Sequence, residues 1–143
     1  MWGKSAMNET SVHTEQSAER RRRISVLVAD KNAHFRETIR RVLARLGRCI
    51  VSGEASSVTE VISQVTSTQF DLILLDIDMV TKDKLAELKR LARQLPDLQV
   101  AVLLSDDTPE YRQAVQSHGV HFCVAKDSLE DQLPPVLNSV LVS

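Results

Sequence analysis

Three residues stand where their types and positions could do chemistry together: Asp30, Asp76 and Lys126. Each follows an apolar run. Ile24-Ser25-Val26-Leu27-Val28-Ala29 ends at Asp30, Asp71-Leu72-Ile73-Leu74-Leu75 ends at Asp76, and Val120 to Ala125 ends at Lys126. Two carboxylates in one crevice can hold a hard divalent cation such as Mg²⁺, which takes a few oxygen ligands and keeps several waters. An accessible aspartate can also act as a nucleophile and form an aspartyl-phosphate. A lysine opposite it neutralises charge on a transferring phosphoryl group. Any one of these residues alone is uninformative, because acids and lysines at strand ends are commonly just solvated. Three of them at three strand ends form a specific combination.

The elements that must position them are legible in the hydrophobic pattern. Ala33 to Leu46 carries Phe35, Ile39, Val42, Leu43 and Leu46 at helical spacing, with Gly47 as the closing residue. Cys49 to Ala55 reads as a second strand, and Ser57-Val58-Thr59-Glu60 is a capping box that opens a second helix. Asp71 to Asp76 is unbroken by polar alternation, which predicts a strand covered on both faces. Lys82 to Leu95 places Leu85, Leu88, Leu91 and Leu95 on one stripe, and Leu98 to Leu104 is a fourth strand. Thr108-Pro109 caps a helix predicted to run to about His118 and stop at Gly119; Val120 to Ala125 is the fifth strand. Ser128 to Val142 reads as a last helix interrupted by Pro134-Pro135, neither of which can donate an interior hydrogen bond. Strands alternating with helices predict an α/β fold, a flavodoxin-like (βα)5 doubly wound parallel sheet of order 2-1-3-4-5. In such sheets the site lies at the carboxyl ends of strands 1 and 3, where Asp30 and Asp76 stand.

Length and charge set bounds. A chain of 143 residues fits one domain, read here as a disordered tail over 1–23 and a folded domain over 24–143. The net charge of -1 gives no bulk electrostatic case for binding nucleic acid or membrane. No segment approaches the roughly 20 apolar residues of a membrane span, so a cytoplasmic setting is expected. Cys49 and Cys123 show no metal-ligand spacing and read as free thiols of a reducing compartment. His118 and His121 lack nearby acids or cysteines that would make them a metal pair, and His34 reads as an exposed rim residue. Arg20 to Arg23 reads as a solvated basic cluster before the first strand.

From about Ile24 to Val142 the chain resembles the receiver domain of two-component response regulators. The likeness rests on Val26-Leu27-Val28-Ala29-Asp30, Phe35-Arg36-Glu37, Gly53-Glu54-Ala55, Asp71 to Asp76, Met79, Pro109-Glu110-Tyr111, Gly119 and Lys126-Asp127. It is nearest to receivers that precede a LuxR-type helix-turn-helix, although no such DNA-binding domain is expected within this chain. The resemblance implies a signalling domain rather than an enzyme. Asp76 would be the phosphoacceptor, served by a histidine kinase or phosphotransfer protein. Asp30 and Asp76, with Asp78 through its carbonyl, would hold Mg²⁺, and Lys126 would contact the phosphoryl oxygens. Phe122 matches the switch aromatic. A downstream protein partner and a homodimer are implied as well.

The departures from the family pattern fall at the site. The acidic pair after strand 1 is Asp30-Lys31, so a metal ligand is replaced by a cation. At about 4 Å and an effective dielectric of about 20, two unit charges interact by roughly 4 kcal/mol, and a divalent ion feels twice that. The hydroxyl position after strand 4 aligns with Leu104, with Ser105 next to it. The loop after Asp76 carries Val80, Thr81 and Lys84 where the family has proline and glycine, so it lacks residues that tolerate unusual backbone angles. Two readings are therefore open. One is a phosphorylatable receiver with weakened metal binding. The other is a phosphorylation-independent pseudo-receiver in which the Lys31 ammonium bridges Asp30 and Asp76. An unrelated flavodoxin-like enzyme or nucleotide binder is disfavoured by Asp30-Lys31-Asn32-Ala33, which contains no glycine-rich phosphate loop.

Overall fold

The run Leu72–Asp76 is buried at every position and forms the central strand of a five-stranded parallel sheet. The computed structural model of the chain describes residues 23–118 and 120–142. The strands are β1 (Ile24–Ala29), β2 (Cys49–Ala55), β3 (Leu72–Asp76), β4 (Gln99–Leu104) and β5 (Phe122–Ala125). Their order is β2-β1-β3-β4-β5, as the alternating pattern predicts. The helices are α1 (Ala33–Leu46), α2 (Val58–Ser67), α3 (Lys82–Gln94), α4 (Pro109–Gln116) and α5 (Leu129–Val142), with short 3₁₀ turns at Ile77–Met79 and Lys126–Ser128.

Side chains alternate across the sheet, so each strand feeds two cores. On one face Val26, Val28, Leu72, Leu74 and Leu103 pack with Ile39 and Leu43 of α1 and Leu133 and Leu137 of α5. On the other face Leu27, Ile73 and Leu75 pack with Val61 and Val65 of α2 and Leu91 of α3. Further along that second face, Val102, Leu104 and Cys123 pack with Val115 of α4 in a separate, smaller cluster.

The local signals act as their chemistry requires. Gly47 has φ 72° and its N–H closes α1 on the Leu43 carbonyl. Ser57 Oγ accepts from the Glu60 N–H at 3.2 Å, while the Glu60 carboxylate reaches back to the Ser56 N–H at 2.9 Å. Thr108 Oγ1 accepts from the Tyr111 N–H at 3.1 Å, with Pro109 in the first turn of α4. Gly53 lies just past an irregularity where Val26 pairs with Val51 but Leu27 pairs with Gly53. A Cβ at Gly53 would collide with the Gln64 side chain and come within 3.0 Å of the Phe70 ring.

Four expectations need correction. The prolines do not interrupt the last helix, which runs unbroken from Leu129 to Val142 with Pro134 and Pro135 inside it. Their missing N–H groups would have met the carbonyls of Glu130 and Asp131, which belong to exposed residues and can turn to water. Burial of Leu129, Leu133, Val136 and Leu137 holds the helix in place. The fourth strand begins at Gln99, one residue later than expected, because Leu98 is still tied by its N–H to the Leu95 carbonyl. Helix α4 ends at Gln116, where Ser117 and His118 fold into a tight turn onto Gln113 and Val115. The fifth strand begins at Phe122, because at His121 the imidazole Nδ1, 3.0 Å from the Val100 N–H, accepts in place of a strand carbonyl. The tail over 1–22, most of the basic cluster and Gly119 lie outside the described residues.

Candidate functional site

β1 and β3 are neighbours, and the chain leaves them toward opposite sides of the sheet, which opens a crevice at their carboxyl ends. Among the described residues, Asp30 and Asp76 are the two buried polar ones, 1% and 5% exposed. Buried charges need partners, and both carboxylates have them. Asp30 Oδ1 accepts from the Asn32 N–H at 2.8 Å, and its Oδ2 accepts from Lys126 Nζ at 2.8 Å. Asp76 Oδ1 accepts from the Asp78 N–H at 3.1 Å, and its Oδ2 lies 3.4 Å from the same ammonium. Lys126 therefore bridges the two acids. Its ammonium also sits 4.6 Å from the centroid of the Phe35 ring, a cation–π position.

Each side chain is placed by its element. Asn32 caps α1 through its side chain while its own N–H holds Asp30. Arg36, one turn into α1, donates to the Asp30 carbonyl at 2.6 Å and pairs with Glu54 of β2 at 3.1 Å, which anchors the helix to the crevice. Asp76 ends β3 and caps the 3₁₀ turn Ile77–Met79. Lys126 opens the turn after β5 and reaches across the edge of the sheet.

The electrostatics follow from burial and pairing. Burial raises the Asp76 pKa above its ordinary value, the Asp30 charge adds to that, and the Asp78 N–H and Lys126 only partly oppose it. Burial works against the Lys126 charge, but its hydrogen bond to Asp30 and the charges of Asp76 and Asp30 prevail, so its pKa is raised. The site is thus a negative pair with one firmly held positive charge between them.

The structure brings Asp30, Asp76 and Lys126 together and leaves other expected members apart. Lys31 is exposed and makes no ion pair among the described residues, so the bridging cation is Lys126 and not Lys31. Leu104 is fully buried against Val102, Val115 and Cys123, and Ser105 is exposed. Phe122 lies on the opposite face of the sheet from Leu104, packed toward the α1–α5 core. The residue on the Leu104 face is Cys123, paired in register with Val102. Strand alternation, counted back from Lys126, was the signal for this. The loop after Asp76 needs no glycine: Val80 has φ -97° and Thr81 caps α3. Among the described residues, only Gly47 and Arg48 have positive φ.

One network was not legible in the sequence. Arg112 of α4 pairs with Asp107, donates to the Cys123 carbonyl at 3.1 Å and donates to Gln132 Oε1 at 2.8 Å. Gln132 Oε1 also accepts from the Ala125 N–H at 2.8 Å. One guanidinium thus ties α4, β5 and α5 together immediately before Lys126.

The sequence profile described as the response regulator receiver domain matches residues 26–138. The chain belongs to this receiver family. It is 30% identical over 112 residues to the transcriptional regulatory protein YxjL of Bacillus subtilis, covering 78% of this chain and 51% of YxjL. It is 26% identical to YhcZ of the same organism, covering 77% of this chain and 51% of YhcZ. The chain therefore spans about half the length of these curated relatives. Among solved structures, the receiver domain of the response regulator NarL from Mycobacterium tuberculosis matches with a TM-score of 0.70 at 25% identity, covering 82% of this chain and 96% of that one. The isolated RcsB receiver from Salmonella enterica, bound to the phosphomimetic BeF3-, matches with a TM-score of 0.73 at 22% identity, covering 85% and 90%, and supports the fold alone. The chain is thus a receiver-type signalling domain of two-component response regulators. No helix among the described residues is long and apolar enough to cross a membrane.

Proposed function

We propose that Asp76 is the phosphoacceptor of this receiver and that Lys126 is the residue that receives the phosphoryl charge. The observation that carries this is the Lys126 ammonium, 2.8 Å from Asp30 and 3.4 Å from Asp76. An Asp76 carboxylate oxygen attacks the phosphorus of a phosphohistidine, the P–N bond breaks, and the imidazole leaves with the electron pair. The product is an acyl phosphate on Asp76. Burial makes the Asp76 carboxylate more basic than an exposed one, hence a better nucleophile. Lys126, already between the acids, turns from Asp30 toward the new phosphoryl oxygens. The chain is the acceptor in this step, not an enzyme acting on a separate substrate.

The donor set fits a Mg²⁺ ion that keeps most of its waters. Asp30 and Asp76 would supply hard carboxylate oxygens and Asp78 its carbonyl, and Lys31 at the second acidic position subtracts one ligand. When bound, the ion neutralises charge on the transferring phosphoryl group. Because Lys31 is exposed, it can stay in water and leave the crevice to the metal. This favours a weakened but working acceptor over a site held shut by Lys31.

The fitting partners are a histidine kinase or phosphotransfer protein in the cytoplasm, a downstream protein and a second copy of the chain. Its relatives YxjL and YhcZ are transcriptional regulatory proteins, which makes a gene-regulatory output the natural extension. The test is incubation with acetyl phosphate and Mg²⁺ followed by intact mass measurement. A single phosphate adduct is expected, needing more Mg²⁺ than the Lys31→Asp variant needs. No adduct on either protein would refute the proposal.

A further inference from the structure

A lysine carries its charge on a flexible four-carbon stem, so where the ammonium stands depends on where the backbone delivers that stem. The far end of Lys126 is held in the crevice by Asp30 at 2.8 Å, by Asp76 at 3.4 Å and by the Phe35 ring. The near end is held differently. The turn Lys126–Ser128 that opens with this residue has no side-chain cap at Ala125. The backbone of Lys126 is therefore placed by the last residues of β5.

β5 is the outermost strand beside β4. An outer strand carries backbone groups that no further strand pairs. Two of them, the Cys123 carbonyl and the Ala125 N–H, are taken by side chains. Arg112 Nη1 donates to the Cys123 carbonyl at 3.1 Å, and the Ala125 N–H donates to Gln132 Oε1 at 2.8 Å. Arg112 Nη2 donates to the same Gln132 oxygen at 2.8 Å, which fills both lone pairs of that amide carbonyl. Gln132 is thus pinned from two sides, and Arg112 is itself fixed by Asp107. From the first turn of α5, Gln132 reaches back to the amide directly before Lys126.

We infer that Gln132, held by Arg112, is a positioning residue for Lys126: it fixes the end of β5 so that the ammonium stands between Asp30 and Asp76. Its consequence for phosphoryl transfer rests on Lys126 being the residue that meets the phosphoryl oxygens, as proposed above. Gln132 acts through the backbone of Ala125, not by touching the reacting atoms. Misplacing a reacting group by about 1 Å costs up to about 100-fold in rate. Loosening one bond at the foot of a side chain still anchored at its tip is expected to cost less.

The test uses the full chain with Gln132→Met, which keeps the length and removes the acceptor, and with Gln132→Glu, which keeps an acceptor. The Lys126 side-chain proton signals in NMR spectra, displaced upfield by the Phe35 ring, report where the ammonium stands without any phosphorylation. They are expected to move toward those of exposed lysines in Gln132→Met and to stay in place in Gln132→Glu. The rate of adduct formation from acetyl phosphate with Mg²⁺ is expected to fall about fivefold in Gln132→Met and to stay within about twofold in Gln132→Glu. In a Lys126→Ala background Gln132→Met is expected to slow labelling no further, because its effect runs through Lys126. Unmoved Lys126 signals or an unchanged rate in Gln132→Met would overturn the inference. So would an equal loss in Gln132→Glu, or an equal slowing in the Lys126→Ala background, which a purely structural bond would give. An original chain that takes up no phosphate refutes the Asp76 reading instead, and the Lys126 signals still decide the placement.

Discussion

The two faces of β4 meet very different neighbours. Ala101 and Leu103 point into a continuous core shared by α1, α5 and three other strands. Val102 and Leu104 point into a small cluster whose one helical member among the buried residues is Val115 of the short α4. On the first face hydrophobic burial does the holding. On the second, much of the attachment is polar: the Arg112 guanidinium joins Asp107, the Cys123 carbonyl and Gln132. The lesson is that the α1–α5 flank is a platform and the α4 flank is a more lightly packed panel. Regions with few buried apolar contacts open at lower free energy than the core.

That contrast can be broken by core truncation. Leu133→Ala in α5, at a fully buried site, is expected to cost about 3 kcal/mol of stability, in the range of large-to-small core changes. Val115→Ala in α4 is expected to cost only about 1 kcal/mol, since the site is at the margin of a small cluster. Urea melts of both variants check this, and equal losses would remove the distinction. Arg112→Met keeps the apolar stem and removes the donors. It is expected to cost about 1–2 kcal/mol, the scale of lost charged hydrogen bonds. Hydrogen exchange should rise selectively in α4 and β5; a uniform rise across the sheet would show that Arg112 does not define the panel.

An effect no larger than that of Val115→Ala concerns the crevice at the carboxyl ends of β1 and β3. Asp76 has a folded pKa above its ordinary 3.8, so its ionisation works against folding. Its favourable contribution is fully present below that ordinary value and is lost as pH rises through the raised folded one. Asp76→Asn is therefore expected to stabilise the domain at neutral pH by about 1 kcal/mol, with Lys126 retaining Asp30 as its partner. The difference from the original chain should shrink as pH falls through the raised folded pKa and be gone below 3.8. A variant less stable at neutral pH would mean that the Lys126–Asp76 contact outweighs burial.

Much of this was legible in the sequence. The unbroken run Leu72–Leu75 announced a strand covered on both faces, and the residues that end β1, β3 and β5 had to meet at one edge. Pairwise side-chain choices were not legible. Lys31 and Lys126 are equally good cations by type, and only the reach of the turn after β5 decides that Lys126 bridges the acids. Pro134 and Pro135 read as breakers because local propensity says nothing of the Leu133 and Leu137 burial that outweighs them. The face on which Phe122 lies depends on a one-residue register, and in a strand each such step moves a side chain to the opposite face. The Arg112 network joins residues 11 and 20 positions apart in the chain and carries no local motif.

The central claim is that Asp76 carries the phosphoryl group. Acetyl phosphate treatment followed by borohydride reduction converts an aspartyl-phosphate to homoserine, which peptide mapping locates. The account predicts homoserine at position 76 and nowhere else, and none in Asp76→Asn. Homoserine at position 30 or 78, or none at any position with Mg²⁺ in excess, would contradict it.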